Sequence, residues 1–121
     1  MNRTMNEKTD LILETIESYN AYLSNLPSGC LLIAENLRED QIQEALNNIK
    51  NFSEGVIWLI DVSELLKKND VVVNMSVERV HEFLNEINDA IEIQDYNLVA
   101  DLFEYELVEF FKDSDLITLE Q

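Results

Sequence analysis

The chain of 121 residues has one cysteine, one proline, one histidine and two glycines, and only 8 bases against 25 acids. One cysteine forbids an internal disulfide, which agrees with a reducing compartment. Two isolated glycines build neither a Walker loop nor a dinucleotide fingerprint. The shortage of lysine and arginine leaves a formal charge of -17. That charge repels phosphate backbones and anionic lipid, so neither nucleic acid nor membrane is expected as a partner. No run approaches 18 uninterrupted apolar residues, and Met1 to Glu7 lack the apolar core of a signal peptide, so the expected compartment is the cytoplasm.

A hydrophobic share of 46% lifts the chain out of the disordered class despite its charge. The expectation is a single domain over 1–121, with 113–121 as a loosely ordered tail. Charge is unevenly placed. Residues 1–68 carry 11 acids and 6 bases, net -5, whereas residues 69–121 carry 14 acids and 2 bases, net -12.

Scarce turn residues and apolar side chains at helical spacing predict an all-α fold, an elongated antiparallel bundle of four to five helices. The first helix is expected over Asn6 to Leu26, with Ile12, Ile16, Tyr19, Leu23 and Leu26 on one side, ending at Pro27-Ser28-Gly29. A short second helix follows from Cys30 to Leu37, and Asp40 is placed as the N-cap of a third, Gln41 to Lys68. In that third helix Leu59, Ile60 and Leu66 continue one apolar arc while Trp58, Val62 and Leu65 point the opposite way. Gly55, at the change of character, marks a bend or a close helix crossing. Val71-Val72-Val73 reads as an extended crossover. A fourth helix, capped by Ser76, divides cleanly into an apolar side and an acidic side, and a fifth, capped by Asp95, spans Tyr96 to Lys112.

The fifth helix is apolar over much of its circumference. Leu98, Leu102 and Tyr105 form a second face, and Glu106 and Glu109 fall between the two faces. A carboxylate set in an apolar arc must hydrogen-bond or carry a raised pKa. Glu78-Arg79-Val80-His81 has the Glu-x-x-His spacing of di-iron bundles, but such a site needs two of these motifs. Cys30 near a helix start is either a thiol of lowered pKa or a small buried apolar residue. No catalytic or metal-ligating set and no cofactor is therefore expected. The candidate partner-binding residues are Trp58, Val62, Leu65, Leu98, Leu102, Tyr105, Glu106 and Glu109.

The stretches Glu54-Gly55-Val56-Ile57-Trp58-Leu59 and Asp95 through Leu107 resemble a group of small, acidic, uncharacterised helical proteins of Firmicutes. More distantly, Ser28-Gly29-Cys30-Leu31 opening a helix, a tyrosine-bearing N-terminal segment and a late break near Gln94-Asp95-Tyr96 resemble flagellin export chaperones of the FliS type. That resemblance implies a small helical bundle that holds an unfolded export substrate, or a motility-associated accessory protein. The expected function is non-enzymatic protein binding. The alternatives are a metal-binding or enzymatic bundle using Glu106 and His81, and an obligate homodimer.

Overall fold

The computed structural model describes residues 3–118, with side chains from residue 7 onward. Helix α1 (Arg3–Arg38) is a single rod of 36 residues, about 54 Å long at 1.5 Å per residue. Its buried residues Ile16, Tyr19, Leu23, Leu26, Cys30, Ile33 and Leu37 follow one another at steps of three and four, which holds a stripe on one side of a helix. The expected break at Pro27-Ser28-Gly29 is overturned, for Pro27 lies inside the helix. The stripe keeps its register across residues 27–29 only if each of them turns helically. An interior proline costs about 3 kcal/mol, and burying a Leu or Ile returns about 1.5–3 kcal/mol each. Ile33 and Leu37 alone offset the proline.

Helix α2 (Ile42–Lys68) returns along α1 after a three-residue turn. Near the turn, Asn48 Nδ2 donates to Asn36 Oδ1 at 3.1 Å. Further away the Tyr22 and Trp58 rings meet edge to face, their centroids 5.9 Å apart. These contacts lie on either side of Pro27, so one partner helix spans both halves of α1. Gly55 marks a close crossing, since a Cβ there would overlap the Tyr22 hydroxyl and its ring.

After an extended connection, in which Val71 is buried and Val72 exposed, comes α3 (Val77–Glu92), capped by Ser76 Oγ accepting from the Arg79 N–H at 3.2 Å. A C-terminal rod follows: α4 (Tyr96–Asp101), a π-helical segment (Leu102–Leu107) and α5 (Val108–Asp113). Asp95 caps it, accepting from the Leu98 N–H. Within the rod the buried residues Val99, Phe103, Leu107 and Phe111 recur every four residues. In a regular α-helix that stripe would drift by roughly 120° over its length. The π turn, whose Val108 N–H donates to Phe103 O, takes more residues per turn and brings the stripe back. The helix expected over Tyr96 to Lys112 is thus present with its middle widened.

All three rod segments pack on α1, and α3 packs on α4 and the π segment. Phe52 of α2 reaches Phe103 at 5.1 Å and Phe111 at 6.2 Å between ring centroids, closing the core. The described residues form an all-α structure without strands, and no helix among them is long and apolar enough to cross a membrane.

The ends of α1, α2 and α3 share one device. Asp40, Asp70 and Gln94 adopt φ of 61°, 64° and 58°, and each terminus closes with paired bonds such as Asp40 N–H to Leu37 O and Gln41 N–H to Asn36 O. This is the Schellman arrangement, in which glycine usually takes the left-handed position. Both glycines of this chain lie inside helices instead. Asp40 is therefore the C-terminal stop of α1, and Gln41 takes the N-cap place of α2 without a side-chain bond.

The segment after α5 is tied to α1 at one point. Asn20 both donates to Ile117 O at 3.0 Å and accepts from its N–H at 2.8 Å, and Ile117 is buried. Residues 119–121 lie outside the described residues.

Glycine placement makes a direct test. Gln94→Gly should stabilise by about 1 kcal/mol, because the left-handed backbone penalises any Cβ. Gly29→Ala should add about 0.5–1 kcal/mol, since nothing lies within 4 Å of the new methyl. Gly55→Ala should cost about 1–3 kcal/mol by pushing the Tyr22 ring off Trp58. Urea unfolding with an unchanged m value measures all three.

Candidate functional site

On the side of the α1–α2 hairpin where Tyr22 meets Trp58 lies a groove of about 340 Å³, lined by Tyr22, Asn25, Leu26, Gly29, Leu32, Ile33, Asn48, Asn51 and Phe52. On α1 the lining residues 22, 25, 29 and 32 recur at three and four, which makes a second stripe beside the buried seam. Gly29 leaves the groove open, because a side chain there would meet no atom within 4 Å. Trp58 extends the wall from Tyr22. Leu32, Trp58 and Leu65 are 51%, 40% and 54% exposed, more apolar surface than solubility favours on one side of a small acidic protein. The amide of Asn36 holds the lining residue Asn48: it is buried, donates to Gln41 Oε1 at 3.0 Å, and accepts from Asn48 at 3.1 Å.

The expected residues divide between two places. Trp58 and Leu65 stand exposed on α2, but Val62 is buried in the core, because neighbouring elements cover an apolar position that lies off the main arc of α2. Leu98 and Tyr105 are exposed on the rod, whereas Leu102 is buried, at the floor of a smaller groove of about 310 Å³ with Glu86, Asp89, Ala90, Ile93 and Leu98. The expected face of Leu98, Leu102 and Tyr105 is thus split by the π turn. The two grooves share no lining residue. Tyr22, Gly29 and Leu32 were not among the expected residues. Their signal, a second line at three-four spacing, becomes visible only when α1 is read through Pro27.

Glu106 and Glu109 face solvent. Glu106 does not bond to a tyrosine; its Oε1 lies 3.6 Å from Arg79 Nη2. Arg79 also reaches Glu82 at 2.8 Å and Glu86 at 3.4 Å, and its guanidinium stacks 3.9 Å from the Phe83 ring centroid. Arg38, at the end of α1, bridges Asp101 at 2.7 Å and Glu104 at 3.0 Å. The Tyr105 hydroxyl and the Arg38 guanidinium hold the Glu104 carboxyl below the usual carboxylate range. Among the described residues every ion pair is made by these two arginines, and both grip the rod at or beside its π turn. No bond joins His81 to Glu106, and among the described residues no three His, Cys, Asp or Glu side chains gather as metal ligands.

Residues 14–115 match the family described as a domain of unknown function, DUF8042, and the chain belongs to that family. No curated protein and no solved structure matches it.

Beneath the groove, Cys30 is fully buried, and burial pushes its thiol from 9.0 up to about 12. The same cause lifts the Tyr19 hydroxyl from 10.0 to about 12. Both groups keep their protons in the folded chain after the unfolded chain has lost them. Their contribution to stability is therefore complete below about pH 9 and is lost as pH rises through the window to about 12. The urea midpoint should fall between pH 8 and pH 10.5, and Cys30→Ala should flatten part of that slope. At pH 8 a disulfide reagent should label Cys30 only in denaturant.

Proposed function

We propose that this DUF8042 protein is a non-enzymatic protein-binding module of the cytoplasm, and that the α1–α2 groove is where it holds another protein. One observation carries the reading: Leu32 and Trp58 stand half exposed, one lining and one beside an open groove whose lining is mainly apolar. Aromatic and Leu anchors at helical spacing are the groups that dominate protein recognition energetically. Chaperone-like holding of an apolar segment, as the resemblance to flagellin export chaperones implies, is the form this binding takes here. An antiparallel bundle suits that role, since its hairpin presents two parallel walls to a partner.

The wild-type protein should run as a folded monomer of 14.1 kDa by light scattering and bind an apolar reporter dye, with energy transfer from Trp58, the only tryptophan. Leu32→Glu, at a half-exposed position, should lower dye binding severalfold while changing stability by about 0.5 kcal/mol or less. A folded wild type that binds no dye refutes the groove reading. A dimer that protects Trp58 from quencher transfers the surface to self-association.

A further inference from the structure

Resting on that reading, we infer that the occupant of the α1–α2 groove is a single amphipathic helix of another protein whose polar face is basic. The length of the surface points to a helix. The α2 lining runs from Asn48 to Phe52, and Trp58 continues it beside Tyr22, about 15 Å in all at 1.5 Å per residue, which is the length of a helix of about ten residues. Tyr22, Gly29 and Leu32 face that wall from α1 at the spacing that receives anchors at i, i+3 or i+4, and i+7. Gly29 lets a partner side chain or backbone come against α1 itself, for nothing occupies the space above it. Asn25, Asn48 and Asn51 supply amides along the groove that accept and donate without adding charge.

The lining itself is uncharged, and the charge of the two helices that carry it selects the partner. Residues 14–36 of α1 and 44–66 of α2 together carry seven acids and one base, Lys50. Arg38 and Arg79, which could have softened this field, are held by carboxylates of the rod and of α3. A helix with lysine or arginine flanking its apolar stripe gains from the field of these two helices, and an acidic helix with the same stripe is repelled. A second copy of this chain is repelled too, because each copy brings a charge of -17. The apolar stripe gives contact and the net negative charge of the two helices gives selection.

The test uses the full chain and three synthetic peptides of 17 residues. All carry one Leu/Ile stripe, and their polar positions are Lys in the first, Glu in the second and Gln in the third; Trp58 emission reports binding. The Lys peptide should bind at least about tenfold more tightly than the Glu peptide, with Gln between them. Its advantage should collapse when salt rises from about 0.1 M to about 1 M, as the Debye length shrinks from about 10 Å to about 3 Å. Gly29→Leu, which fills open space inside a helix, should keep the helical circular dichroism, hold or raise the thermal midpoint, and lose binding of every peptide. Equal binding of the Lys and Glu peptides, abolished by Gly29→Leu, overturns the basic partner and leaves the protein-binding reading intact. Binding that Gly29→Leu does not affect, or no binding of any peptide to the folded wild type, overturns the groove itself. A dimer of the wild type that dissociates on adding Lys peptide supports the inference; one that resists every peptide assigns the surface to the second copy and overturns it.

Discussion

The continuous three-four seam of α1 is the constraint on which the remaining structure depends. Seven side chains from Ile16 to Leu37 hold one line along the helix, and α2 and the whole C-terminal rod pack on that helix. Because the line must not rotate, residues 27–29 stay helical in spite of a proline and a glycine. The benefit is distributed over every contact downstream, while the penalty of the proline is local and bounded. α1 therefore serves as the axis, and the other elements take their places by its register.

Register also explains the irregularities. The rod carries its apolar residues every four positions, which a regular α-helix would wind away from α1, and one π turn takes up the drift. Gly55 permits Tyr22 to cross α2 closely, and that crossing leaves Trp58 at the edge of the groove. With both glycines inside helices, the three left-handed helix ends fall to Asp40, Asp70 and Gln94. Aspartate tolerates that backbone better than most residues, so the stops remain sharp at a modest cost.

Electrostatics divides the molecule by function. The excess of acid after Asn69 is partly consumed by Arg38 and Arg79, which draw the rod toward α1 and α3. These are exposed ion pairs, and such pairs orient more than they stabilise. The carboxylates of residues 14–36 and 44–66 are in no ion pair among the described residues.

Much of the architecture was legible in the residues. The all-α class, the turn after Arg38, the extended valines and the caps at Ser76 and Asp95 all follow from local chemistry, because periodicity, capping and turn preference act within a few residues. That Trp58 and Leu65 fall off the main arc of α2 was legible for the same reason, though their exposure was not, since Val62 off the same arc is buried. The continuity of α1, the burial of Val62 and Leu102, the clamp of Asn20 on Ile117 and the groove of Tyr22, Gly29 and Leu32 were decided by tertiary structure. Each turns on residues distant in sequence: whether a proline breaks a helix depends on what is buried beyond it, and whether an apolar residue is covered depends on the element that arrives above it.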